Sequence, residues 1–193
     1  MQVSNLPTVV LASASPRRRD LLLAILPERS FLVDPADIDE RLYEQADPVA
    51  SALSIARAKA DVAIVRHPEA TVITADTVVF VGAEHFGKPE TPEEAVRMLL
   101  ALSGRSHNVV TAYTVRRAGK WVERAVVTEV AFRPISLAQA ETYVRTGESL
   151  DKAGAYAIQG GAGVFVDEVR GSISNVIGLP VDELRLDLRR FGY

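Results

Sequence analysis

Val9-Val10-Leu11-Ala12-Ser13-Ala14-Ser15-Pro16-Arg17-Arg18-Arg19-Asp20-Leu21-Leu22 carries the reading from which the rest of the chain is organised. The apolar lead-in reads as a short buried strand. Ser15-Pro16 reads as a helix start. Serine accepts a hydrogen bond at the N-cap, and proline fits the first helical position, where its missing N–H costs nothing. Arg17, Arg18 and Arg19 then fall on the first helical turn, at the positive end of the helix dipole. Cations gain nothing from the fold there, so their placement points to an anion docking at the turn. Free backbone N–H groups, the hydroxyls of Ser13 and Ser15 and the guanidinium forks together suit a phosphate. A solvated basic helix start is the competing reading, and residue chemistry leaves both open.

Working outward, the first helix is predicted over Pro16–Leu26, followed by a strand at Phe31-Leu32-Val33 and an acidic loop from Asp34 to Glu40. Asp47-Pro48 repeats the cap-plus-proline signal and opens a long helix with a buried stripe at Val49, Leu53, Ala56, Ala60 and Ala63. Lys59 lies in that helix, and its spacing alone reads as a solvated lysine. Thr71 to Ala75 is β-branched and apolar, Asp76-Thr77 interrupts it, and Val78 to Val81 resumes the strand. A carboxylate and a hydroxyl in a buried run are costly unless paired or liganded, which favours a functional role for both. Gly82-Ala83-Glu84 is a turn, Gly87-Lys88-Pro89 a loop, and Thr91-Pro92-Glu93-Glu94 caps a helix that ends at Leu102.

Two long β-branched runs follow, Asn108–Arg116 and Trp121–Phe132, joined at the hairpin signal Ala118-Gly119-Lys120. Ser136 to Gln139 is a capping box for a helix to Thr146. Glu148 to Gly163 is a glycine- and alanine-rich loop, and loops of that length inside a domain are often functional. A strand is read at Val164-Phe165-Val166 and a last helix from Leu179-Pro180, with Val181, Leu184, Leu188 and Phe191 on one face. Interleaved strands and helices with a hairpin in the middle argue for an α/β fold with a mixed sheet.

The chain of 193 residues is 48% hydrophobic, carries a net charge of −3 and has no cysteine. One sizeable domain, or two closely packed lobes, is the expectation over residues 1–193. A stable nucleic acid complex is not expected of a mildly acidic protein. Without cysteine there are no disulfides and no thiolate zinc sites, which fits a cytoplasmic chain. Met1 to Asn5 shows no signal peptide, and no apolar run approaches the ~20 residues of a spanning helix, so no membrane partner is expected. There is no P-loop, no G-x-G-x-x-G and no nucleophile elbow, and His67, His85 and His107 make no ligand-spaced pair. What remains is cations beside carboxylates. Arg17, Arg18, Lys59, Lys88 and Lys152 suit phosphates, and Asp39, Glu40 and Asp76 suit a hard cation. Phosphoanhydride hydrolysis needs both: neutralised phosphate oxygens and a carboxylate that positions or deprotonates water.

Six ordered stretches carry a more specific signal. Ser13-Ala14-Ser15-Pro16-Arg17-Arg18, Ala75-Asp76-Thr77-Val78-Val79, Gly87-Lys88-Pro89, Ser103-Gly104 with His107, Asp151 to Gly160, and Asn175-Val176-Ile177-Gly178-Leu179-Pro180 resemble Maf proteins in their order. The resemblance implies a nucleoside triphosphate pyrophosphatase with a divalent cofactor, Mg²⁺ or Mn²⁺. The implied fold is an elongated mixed β-sheet flanked by helices, with two lobes around a central cleft, and a homodimer is implied. It implies Asp76 as proton acceptor, Arg17, Thr77 and Gln159 in substrate choice, and Arg18, Glu40, Lys59, Lys88 and Lys152 lining the cleft. Metal ligation would fall to Glu40 and Asp76. Arg17, Ala75-Asp76-Thr77 and Ile158-Gln159-Gly160 look like the branch acting on dTTP and UTP. The rival expectation is a non-catalytic regulator of septum formation that binds nucleotide or nucleic acid in the same cleft.

Overall fold

The computed structural model describes residues 8–26 and 31–193, so the reading of Met1 to Asn5 lies outside the described residues. Strand β1 (Val9–Leu11) is fully buried and has a parallel neighbour on each side, β2 (Phe31–Val33) and β3 (Thr71–Val81). Burial on both faces is why its sequence is continuously apolar rather than alternating. Among the described residues the sheet has seven strands, in the order β2, β1, β3, β5 (Ser106–Arg117), β6 (Lys120–Phe132), β7 (Val166–Arg170), and β4 (Glu84–Phe86) pairs with the end of β3. β5, β6 and β7 are joined antiparallel, so the sheet is mixed as expected. The β5–β6 turn is Ala118-Gly119, with φ of 45° and 78°. Positive φ at both central residues matches the right-handed twist of the flanking strands.

Side chains alternate along β3, and the two faces are covered by different helices. On one face Ile73 and Ala75 pack with Leu22 of helix α1 (Pro16–Leu23), with Leu26 just beyond it, and with Leu184 and Leu188 of α6 (Val181–Leu188). Further along the same face, Val79 joins a second core with Leu99 and Leu102 of α3 (Pro92–Leu102) and Tyr143 of α4 (Leu137–Val144). Thr77 stands between these two cores. On the opposite face lies α2 (Pro48–Arg66), whose Ala52 and Ala56 pack with Val110 and Ala112 of β5. Thr74 ties that layer down by donating to the Ala56 carbonyl at 2.7 Å.

The departures from expectation have local causes. β3 runs unbroken through Asp76-Thr77, because its pairing with β5 is continuous from Val72 to Phe80. Helix α1 ends at Leu23 rather than Leu26, although Leu26 is still buried. Residues 161–165 form a 3-10 turn, and the last strand is displaced to 166–170, where Val169 pairs with Val130. The predicted turn at Gly82 continues directly into β4. Helix α5 (Ile173–Ile177) was not anticipated; five residues are too few to show a period, and Ser172 caps it by accepting from the Asn175 N–H.

Candidate functional site

β1 stops pairing with β3 at Leu11–Ile73, and β4 starts at Val79–Phe86, so residues 74–78 of β3 have no strand neighbour on that edge among the described residues. Helix α1 leaves β1 towards one face of the sheet, and α2 reaches β3 across the other. Such a divergence of connections at strand ends is where open α/β sheets take ligands. A cleft of about 720 Å³ opens there. Its lining includes Ser13, Ser15, Arg17, Arg18, Glu40, Lys59, Asp76, Thr77, Lys88, Lys152 and Gln159, whereas Asp39, the third carboxylate expected to suit a cation, lies outside it and pairs with Arg41. A smaller groove of about 510 Å³ on the outer side of α2, lined by Tyr43, Val62 and Val65 among others, contains none of them.

Asp76 points to the α2 face. Lys59 Nζ lies 2.9 Å from Asp76 Oδ1 and 2.7 Å from Glu40 Oε1. Lys59 is 7% exposed, which corrects the solvated reading of its spacing. The buried alanines Ala52, Ala56, Ala60 and Ala63 let α2 lie close to the sheet, and the lysine buries its stem while placing its ammonium between two carboxylates. Glu40 arrives on a 3-10 turn (Glu40–Tyr43) capped by Asp39, which accepts from the Arg41 N–H at 3.3 Å. Burial pushes the Glu40 carboxyl up, but Lys59, Lys88 and Arg18 outweigh it and hold it below its ordinary value.

Thr77 points to the other face and meets Arg18. The Arg18 guanidinium donates from Nε to the Gly178 carbonyl at 2.8 Å, from one terminal nitrogen to Ser13 Oγ at 3.2 Å and from the other to Thr77 Oγ1 at 3.0 Å. Three of its five donors are therefore engaged inside the protein. Burial lowers its pKa, opposed by the Asp76 and Glu40 charges. Ser15 Oγ accepts from the Arg18 backbone N–H at 3.4 Å, as the cap signal predicts. Both serine hydroxyls accept in these contacts.

Arg17 meets Asp151 Oδ2 at 3.1 Å, and Lys152 sits on the other oxygen of the same carboxylate. Burial raises the Asp151 carboxyl, but the bonds from Lys152 and Arg17 outweigh it and hold it below its usual value. Lys88 and Gln159 are exposed at the cleft. Arg19 is not part of the lining; it faces Asp20 at 3.7 Å.

Sequence reasoning missed the support beneath Thr77. Thr77 Oγ1 and Thr111 Oγ1 are 2.9 Å apart, and Thr111 donates to the Asn175 carbonyl at 2.8 Å. Fully buried Asn175 accepts from the Thr111 N–H at 3.1 Å and donates to the Val109 carbonyl and Thr128 Oγ1, both at 3.0 Å. The available signal was a lone amide among Val176, Ile177 and Leu179, since a buried amide must find partners. Asp151 was also missed as a partner of the cations beside it.

Cations from several segments, facing two carboxylates across an edge gap in a mixed sheet, define an α/β protein built to receive a phosphorylated ligand. Comparison with known proteins narrows this: the chain belongs to the Maf family, whose description, Maf-like protein, matches residues 8–191. A dTTP/UTP pyrophosphatase of Anaeromyxobacter dehalogenans is 49% identical, covering 97% of this chain and 95% of its own. One from Myxococcus xanthus is 50% identical over 95% of this chain and 92% of its own, and one from Thermococcus kodakarensis 47% identical over 96% and 97%. In fold, the chain is similar to a HAM1 protein from Coxiella burnetii, with a TM-score of 0.52 at 16% identity, covering 96% of this chain and 100% of that one. The Staphylococcus aureus Ham1 protein is similar at a TM-score of 0.50 and 17% identity, covering 95% and 98%.

Proposed function

We propose that the protein is a nucleoside triphosphate pyrophosphatase that hydrolyses dTTP and UTP to the nucleoside monophosphate and pyrophosphate. The observation that carries this is the pair Asp76 and Glu40 gathered on Lys59 in the same cleft as Arg17, Lys88 and Lys152. The names of its relatives in the Maf family support the same reaction. A water oxygen attacks the α-phosphorus, the bond from that phosphorus to the α–β bridging oxygen breaks, and pyrophosphate leaves. Asp76 takes the proton from the attacking water. Lys88, Lys152 and Arg17 offset charge on the phosphate oxygens, and Arg18 fixes Ser13 and Thr77 in place around them.

The donor chemistry fits a divalent cofactor. Asp76 and Glu40 place carboxylate oxygens within 3 Å of one cationic atom, although no group of three or more His, Cys, Asp or Glu able to hold a metal ion occurs among the described residues. Mg²⁺ and Mn²⁺ suit one or two carboxylates plus substrate phosphates, so Asp76 and Glu40 would hold the ion. Bound there, the ion supplies Lewis-acid withdrawal of charge from the phosphate oxygens.

For base choice, the Gln159 amide offers one donor and one acceptor face, matching the O4 and N3–H edge of thymine and uracil. Arg17 and Thr77 complete the substrate-choosing set. No described helix is long and apolar enough to cross a membrane. In this reading the enzyme is a homodimer, and a light-scattering mass of one chain would remove that part.

Incubation with Mg²⁺ or Mn²⁺ and a nucleotide panel, followed by pyrophosphate release, tests the whole reading. Release from dTTP and UTP, lost in Asp76→Asn with the fold intact, is expected. No release from any nucleotide by the folded wild type would favour a non-catalytic regulator.

A further inference from the structure

The segment that carries Gln159 has little regular structure, yet its main chain is held at both ends. The Ala157 N–H donates to the Tyr143 hydroxyl at 3.0 Å, and the Gly161 N–H donates to Glu148 Oε2 at 2.9 Å. Ile158, Gln159 and Gly160 span the interval. The fit is close: a Cβ at Gly160 would lie 2.3 Å from Glu148 Oε2, and one at Gly161 would lie 3.4 Å from the Tyr143 ring. The two glycines are what allow the backbone to lie flat against this pair. Tyr143 is 4% exposed, and its hydroxyl is pushed up to about 12, first by burial, with the neighbouring Glu148 charge and hydrogen bond adding to the rise. It therefore stays protonated, able to donate to the Glu148 carboxylate while accepting from Ala157.

Neither Tyr143 nor Glu148 is part of the cleft lining. Both act on backbone N–H groups of the loop and make no bond to Asp76, Glu40 or Lys59. We propose that Glu148 and Tyr143 are specificity-positioning residues, which clamp residues 157–161 so that the Gln159 amide meets the base of the nucleotide. The proposal rests on the reading of Gln159 as the group that contacts the base. An amide reads a base only when held in register, and a misplacement of about 1 Å can cost about a hundredfold. Loss of the clamp should therefore act on the choice of base and leave the water-attack step alone.

The test is a comparison of kcat and KM for dTTP, UTP and dCTP in the wild type, Glu148→Ala, Glu148→Gln, Tyr143→Phe and Gln159→Ala. In Glu148→Ala and Tyr143→Phe, KM for dTTP and UTP should rise about tenfold, with KM for dCTP and all kcat values nearly unchanged, so that the preference narrows. Glu148→Gln keeps an oxygen acceptor for the Gly161 N–H and should retain most of the preference. Equal losses on dTTP and dCTP, or an unchanged preference in both clamp variants, would overturn the proposal. Tyr143→Phe keeps the ring and stands alone as the test where Glu148→Ala does not fold. Gln159→Ala separates the two levels. If it keeps the full preference, the base-reading assignment falls and the clamp proposal with it. If it narrows the preference and the clamp variants do not, only the clamp proposal falls.

Discussion

Replacing Lys59 by methionine keeps most of the buried stem and removes the ammonium that gathers Asp76 and Glu40. The side chains of Lys59 and Asp76 are 9% and 10% exposed, so their pairing belongs with buried ion pairs. Removing one partner of such a pair costs about 3–5 kcal/mol, because the remaining charge is left uncompensated. Glu40, with 41% of its side chain exposed, is screened by water and adds less than about 1 kcal/mol. Asp76 faces an open cleft, so we take the lower end, about 3 kcal/mol. At about 2–4 °C per kcal/mol for a chain of this size, the Tm should fall by about 6–12 °C at neutral pH with chelator present. The deficit should also depend on pH. In the wild type the Glu40 carboxyl is held below 4.5, so its contribution is present above that value and is lost as pH falls through the folded pKa. In the variant Glu40 loses its nearest cation and takes up a proton more readily in the folded state, which relieves the strain in acid. The gap between the two melting curves should therefore be widest near neutrality and narrow as pH falls below 4.5. Added Mg²⁺ should return part of the loss. Scanning fluorimetry across that range measures all three effects. A Tm within about 1 °C of wild type at neutral pH, or a deficit independent of pH, would refute the reasoning.

Other substitutions probe separate parts of the molecule. Asp151→Asn releases Arg17 and Lys152 from a shared carboxylate, so pyrophosphate should inhibit about two- to fivefold more strongly; weaker inhibition would count against a competing internal anion. Asp187, 3% exposed, accepts from the Tyr113 hydroxyl at 2.7 Å and from Arg124 at 2.9 and 3.0 Å, and Asp187→Asn should cost about 1–3 kcal/mol in urea unfolding at neutral pH. Burial raises that carboxyl but Arg124 and Tyr113 hold it below 3.8, so its contribution is present above that value and the difference from wild type should vanish as pH falls below it. Gly178 has φ of 127°, and a Cβ there would sit 3.4 Å from Thr77 Oγ1 and 3.5 Å from Arg18 Nε. Gly178→Ala should cost about 1–3 kcal/mol and raise KM for nucleotide, measured by melting and steady-state kinetics.

How much was legible depended on the distance over which each feature is decided. The caps at Ser15, Asp47, Thr91 and Ser136 were read correctly, because each is settled within three or four residues. The mixed sheet followed from the element order. Membership of the cleft was legible through the order of six short stretches: five of them contribute residues to its lining, and Ser103-Gly104 with His107 lies outside it. Lys59 was misread from spacing because its neighbours along α2 say nothing about the carboxylates waiting on β3 and on the turn at Glu40. Asp76-Thr77 looked like a break because strand continuity there comes from β5, more than thirty residues on. The tie of Arg17 to Asp151 joins residues 134 apart, which no local pattern encodes. Helix α5 is too short to form by propensity and exists because Asn175 is anchored to β5 and β6.

Asp76 and Thr77 are adjacent on one strand and face opposite layers, and that arrangement bears on how such a protein can diverge. The acid is backed by Lys59 and α2; the hydroxyl is backed by Arg18, Thr111 and Asn175. The two backings use separate hydrogen bonds, and the charge of Arg18 reaches Asp76 and Glu40, so it is the neutral support at Thr111 and Asn175 that can drift with little retuning of the carboxylates. A lineage can thus change what it accepts while inheriting its chemistry intact, one layer of the sheet at a time.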